Sequence, residues 1–208
     1  MITITENMLD ELRAAVAREI GDYRMAHTLG VERAAAELAA LYCPEKEKML
    51  RAAALLHDVT KELSNEQQLS IFAAHGVTLR PDEQASPKVW HGMTAALIIP
   101  ARYPAFAEKE LISAVRWHTT GHAGLTLTEA IVYLADLIEQ GRTFPDCIAL
   151  RTAFYEGEPA RMSMAQRRAH LRSVMLLSFE KTLSRLQGGT VCLDTLAARD
   201  ELKNKTEI

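Results

Sequence analysis

The dipeptide His57-Asp58 follows the apolar run Ala54-Leu55-Leu56 and sets an imidazole beside a carboxylate just where a packed helix should end. Either group buried without a partner costs several kcal/mol, and shared coordination of a metal ion is one of the few arrangements that satisfies both. The pair gains weight from residues able to fold back onto it. His27, His91 and His118 each fall on an apolar helical face, and Asp136 interrupts Ile131-Val132-Tyr133-Leu134-Ala135-Asp136-Leu137-Ile138, which is otherwise apolar all round. Any one of these histidines alone is better read as a core residue bonded to a backbone carbonyl. Four imidazoles with two carboxylates and no cysteine, taken together, describe a site for iron, manganese, cobalt or zinc. Of the other histidines, His75 reads as a partner of a helix C-terminus, His170 as part of a solvated face, and His122 as a loop residue beside the site, a position more often inert than in contact with substrate.

These residues need helices to position them. Apolar spacing predicts helices over about 7–19, with Asn7 as N-cap and Gly21 closing it, and over 22–42, burying Tyr23, Ala26, Val31, Ala34, Leu38 and Leu41 with His27 inward. Pro44 opens a third, which delivers His57 and Asp58 at its end. Ser64 with Gln67 forms a capping box for a short helix ended by Gly76, and a polar loop follows to Ser86. A helix from Pro87 carries His91 until Pro100 and Pro104 stop it; another covers 108–118, and Thr126 with Glu129 caps the apolar helix that holds Asp136. A helix over 146–154, a long amphipathic one over about 161–187, Gly188-Gly189 and a last helix capped by Asp194 complete the chain and read as packing. No strand alternation or repeat appears, so the fold class is all-α.

The 208 residues, 48% apolar and 25% charged, suit one domain. A net charge of -3 without a long basic block argues against a nucleic-acid polymer as partner and for a small nucleotide at most. Cys43, Cys147 and Cys192 are too far apart for a disulfide framework or a zinc knuckle and read as small buried hydrophobes. With neither a leader-like start nor an apolar run of about 20 residues, no membrane is expected, and a reducing cytoplasm is the default location.

His27, then His57-Asp58, then the distant Asp136 resemble the signature of the HD-domain superfamily. Within it the chain resembles the YqeK-like symmetrical dinucleoside tetraphosphatases, by His27-Thr28-Leu29-Gly30-Val31, Leu55-Leu56-His57-Asp58 with Lys61-Glu62-Leu63, His118-Thr119-Thr120-Gly121, and Ile131 to Asp136 followed by Gly141-Arg142. Gln140 and Thr143 stand where that family commonly has proline and aspartate. The resemblance implies a single helical HD-type domain, its core at about 22–144 with helices of 145–208 packed on it, a two-iron centre, and cleavage of diadenosine tetraphosphate into two ADP. Manganese, cobalt or zinc are the alternative ions. On this reading His27, His57, Asp58 and Asp136 hold one ion, and His91 and His118 hold a second bridged by Asp58. Asp58 and Lys61 are the catalytic candidates, and Arg24, Lys61, Thr119, Thr120, Gly121 and Arg142 the candidate substrate contacts, with backbone amides of 119–121 offered to phosphate. Other HD phosphohydrolases, acting on nucleoside monophosphates or guanosine alarmones, and a non-catalytic nucleotide sensor are the competing expectations; a homodimer is left open.

Overall fold

Helices alone build the computed structural model, which describes residues 3–186, 189–206 and 208. They are α1 (Glu6–Val16), α2 (Asp22–Tyr42), α3 (Glu47–Leu56), α4 (Asn65–Ala74), α5 (Pro81–Gln84), α6 (Trp90–Arg102), α7 (Lys109–Trp117), α8 (Leu127–Ile138), α9 (Pro145–Glu156), α10 (Met164–Arg185) and α11 (Leu193–Asn204). The all-α expectation holds, with no strand among the described residues.

The middle of the bundle is α3, which packs against α1, α2, α7 and α8. Ala52, Ala53 and Ala54 are wholly buried, and their short side chains let neighbouring helices approach on several sides. Helix α8 is as apolar as its sequence suggests: Ala130 through Ala135 are buried without interruption. The buried Glu32 carboxylate of α2 takes a hydrogen bond from Arg13 Nε of α1 at 2.8 Å and one from Arg51 Nε of α3 at 3.0 Å, which ties three helices through one charge. A smaller cluster of Phe72, Leu79, Trp90 and Met93 seats α4 on α6. Helices α9 and α10 pack on each other, with α9 against α8 and α10 against α2, and Phe154 and Phe179 are fully buried there.

Both predicted capping boxes form, Ser64 with Gln67 and Thr126 with Glu129, and a third, Ser163 with Gln166, opens α10. Several local expectations need correction. The N-cap of α1 is Thr5, whose hydroxyl accepts from the Met8 amide, and Gly21 starts α2 instead of closing α1. Pro100 lies inside α6, which runs on to Arg102. The expected loop before Ser86 contains α5, and the cap of α11 is Cys192, because Asp194 turns its carboxylate to Arg80 Nη2 at 2.7 Å. His170 is half-buried and bonded to Phe154 O at 2.9 Å, docking α10 on α9 instead of facing solvent. Tyr23, expected in the core, is 82% exposed, and Ala26 is exposed too: the first turn of α2 projects beyond its neighbours. Gln187 and Gly188, the expected end of the long helix and its following glycine, lie outside the described residues.

Candidate metal centre

Two imidazoles occupy equivalent places. His57 and His118 are the residues immediately after α3 and α7, and each aims Nδ1 back at its own helix, at Ala54 O (2.6 Å) and Val115 O (2.7 Å). Those carbonyls need a donor because the helix has run out of amides. The bond therefore assigns the proton to Nδ1 and leaves an Nε2 lone pair facing inward. His27, in the second turn of α2, does the same with a side-chain partner: Nδ1 lies 3.1 Å from Glu139 Oε1 and Nε2 lies 2.9 Å from Asp136 Oδ1. His91, in the first turn of α6, brings Nε2 to 3.1 Å from His118 Nε2 and 3.2 Å from Asp58 Oδ1.

All six expected residues thus meet at one place. Ligand atoms of His27, His57 and Asp136 lie within 4.8 Å of one another, and so do those of His57, Asp58 and His118. Two features mark the cluster as fit for a cation. The His57 Nε2 atom is buried and has no hydrogen-bond partner, an orphan at the meeting point of both groups. The Nε2 atoms of His91 and His118 lie 3.1 Å apart, close enough for one ion to be held by both. Nitrogen and carboxylate donors without sulfur suit a divalent first-row metal.

Burial sets the protonation states. It pushes the His57 pKa down to about 4, beyond what Asp58 restores, so the ring is neutral near pH 7 and its lone pair is free. Burial likewise holds His91 well below the ordinary imidazole value. His27 moves the other way: burial opposes its charged form, but the bonds to Asp136 and Glu139 outweigh that and raise its pKa. Burial also opposes ionisation of Asp58 and Asp136, yet the surrounding imidazoles and Lys61 hold Asp58, and Arg142 and His27 hold Asp136, well below the usual carboxylate range.

A cationic ring surrounds these ligands. Arg24 Nη1 lies 2.7 Å from Asp58 Oδ2, and Arg142 pairs with Asp136 through Nη2 while its Nε donates to Asp136 O at 2.9 Å. Lys61 Nζ stands 3.1 Å from His91 Nε2, and burial lowers its pKa. Its backbone is fixed by the adjacent Thr60, whose hydroxyl donates to His91 O at 2.8 Å. Thr119 Oγ1 reaches the Nε2 atoms of His91 (3.2 Å) and His118 (3.1 Å). Two cavities flank the centre and share Lys61: one of about 370 Å³ lined by His27, Asp58, Asp136 and both arginines, the other of about 600 Å³ lined by His91, Asn65, Gln68 and Lys88.

Other expected contacts are not brought to the centre. The Thr120 hydroxyl folds onto Gly121 O, and the Gly121 amide already donates to Trp117 O at 2.8 Å, so it is not offered to a phosphate. Gly121 is needed for another reason: its φ is +61°, and a Cβ there would lie 2.8 Å from Phe179 Cζ. His122 stacks on Trp117, ring centroids 4.4 Å apart, and bonds Glu129 at 3.0 Å. Conversely, Glu139 escaped the sequence reading. Its carboxylate is buried against Gly30, where a Cβ would lie 2.4 Å from Oε2. The available signal was Gly30 itself, a glycine inside a helix one turn after His27, in a position that costs stability unless something must approach closely.

Comparison with known proteins agrees with this geometry. A family model described as HD domain matches residues 24–141. A symmetrical bis(5'-nucleosyl)-tetraphosphatase of Bacillus subtilis (strain 168) is 32% identical over 136 residues, 65% of this chain and 72% of that protein. One of the same name from Halalkalibacterium halodurans is 25% identical over 189 residues, 90% of this chain and 92% of its own. A crystal structure from Clostridium acetobutylicum, described as a predicted HD superfamily hydrolase involved in NAD metabolism, superposes with a TM-score of 0.79 at 28% identity, covering 94% of this chain and 96% of that one.

Proposed function

Because the chain belongs to the HD-domain family, we propose that its centre hydrolyses diadenosine tetraphosphate and related dinucleoside polyphosphates symmetrically, giving two ADP. The observation that carries this reading is the convergence of six donor side chains around the unpartnered Nε2 of His57. His27, His57, Asp58, His91, His118 and Asp136 would hold two divalent ions, iron first, with manganese, cobalt or zinc as alternatives. Such ions, when bound, supply Lewis acidity and bring the pKa of water down towards neutrality.

The chain's own residues do the rest. Lys61, Arg24 and Arg142 face the first cavity and offer five-donor forks and an ammonium to the equatorial oxygens of a polyphosphate. Lys61 belongs to both cavities and so stands where the two halves of a symmetrical substrate would meet. Thr119, within reach of His91 and His118, adds a hydroxyl that can orient water or a phosphate oxygen. Asp58 is set among all four histidines and carries negative charge at neutral pH, so it can accept a hydrogen bond from the attacking water. Three buried free cysteines suit a reducing cytoplasm.

The test is product analysis with protein purified without chelator and supplied with Fe²⁺, Mn²⁺ or Co²⁺. Diadenosine tetraphosphate is expected to give ADP alone; AMP with ATP excludes the symmetrical cut, and undiminished substrate excludes the reaction. Elemental analysis is expected to give two metal equivalents per chain and to lose one in His91→Ala.

A further inference from the structure

The cavity that contains Asp58 and Asp136 has two aromatic rings on its lining that no part of the proposed chemistry uses. Tyr23 is 82% exposed and Phe144 is 57% exposed, and they come from opposite ends of the HD core, the first turn of α2 and the residue before α9. Both positions run against local preference. Tyr23 leaves a whole phenol ring in water on a helix whose inner face is packed with Val31, Ala34, Ala35 and Leu38. Phe144 is the N-cap of α9, with extended backbone (φ -64°, ψ 136°) and no side-chain cap, where serine, threonine, aspartate or asparagine would satisfy a free amide. Departures of this kind collect at functional sites. Inward from the rings the same cavity is lined by Arg24, Arg142 and Lys61, which are suited to phosphate.

We propose that Tyr23 and Phe144 form the nucleobase subsite of this cavity, stacking a purine at its rim while the phosphate chain runs inward along the arginines and Lys61. The proposal rests on the nucleotide reading above and specifies how one half of the substrate is held. Stacking on a ring recognises the π-face of a base and not its hydrogen-bonding edge, so adenine and guanine nucleotides are accepted alike. The rings hold the base and take no part at the phosphate that is cleaved, so both are binding residues.

The experiment is calorimetric titration of the metal-supplied full-length protein with ADP and, separately, with inorganic pyrophosphate, for wild type, Tyr23→Ala, Phe144→Ala, Tyr23→Phe and Phe144→Tyr. Each alanine variant is expected to weaken ADP binding about five- to tenfold, the lower part of the range known for base stacking. Pyrophosphate binding stays unchanged, the conservative aromatic variants recover ADP affinity, and the alanine variants raise KM for diadenosine tetraphosphate with kcat within about twofold. Unchanged ADP affinity in both alanine variants, or an equal loss towards pyrophosphate, overturns the proposal while leaving the hydrolase reading intact. Absence of ADP among wild-type products would overturn that reading instead, and the ADP titration would still decide the role of the rings.

Discussion

The imidazoles of the centre are directed by their far nitrogens. His57 and His118 donate Nδ1–H to backbone carbonyls that no substitution can remove, whereas His27 depends on a side chain, Glu139. Replacing such an outer partner typically costs 10–100-fold in metal affinity or activity, and Glu139→Gln keeps an acceptor while losing the charge, so a loss of about tenfold in metal affinity is expected, read by metal titration. An unchanged affinity would show that Asp136 alone orients the ring. The six converging donors were legible because histidine and aspartate are conspicuous on apolar helical faces. Glu139 was not, since it caps α8 and only a long-range fold brings it under His27. Tyr23 was misread for the converse reason: its spacing matches the packed face of α2, but that face has no neighbour at the first turn.

Helix α2 shows how an element is shaped by what must lie against it. In an ordinary helix interior, alanine in place of glycine adds about 1 kcal/mol. At Gly30 the opposite sign is expected, because the new Cβ would fall 2.4 Å from Glu139 Oε2 and the carboxylate, tied to His27, has little room to yield. Gly30→Ala is expected to cost about 1–3 kcal/mol, a fall of roughly 2–10 °C in Tm by thermal denaturation, with weaker metal binding alongside. The double variant Gly30→Ala with Glu139→Ala should recover part of the stability, since the two positions share one contact. Helix identity was readable from apolar spacing and from capping boxes that name both partners. Helix ends were less so: Pro100 continues α6 because proline removes only its own amide, and the cap of α11 shifts because Arg80, distant in sequence, claims Asp194.

Across the molecule, the donors come from α2, the end of α3, α6, the end of α7 and α8, so whatever binds them ties together most of the core. Ligation stabilises the folded state by about 2.7 kcal/mol at a hundredfold excess over Kd, and stripping with EDTA is expected to lower Tm by about 5–10 °C, reversibly on adding Mn²⁺. A Tm indifferent to chelator would count against the centre as a metal site. The fold class was legible because helical spacing runs through the whole chain. The seating of the C-terminal helices was not, because Gly121 reads as a phosphate loop until Phe179 and Ala198 are seen filling the space beside it. One architectural detail carries further. Helices α3 and α7 end at the centre, and α8 brings Asp136 there in its last turn. Each terminus presents the negative pole of a macrodipole, equivalent to roughly half an elementary charge, so the backbone itself attracts cations. That contribution depends on an ion's charge and not on its coordination preferences. Doubly charged ions share it equally, and discrimination among them falls to the side chains alone.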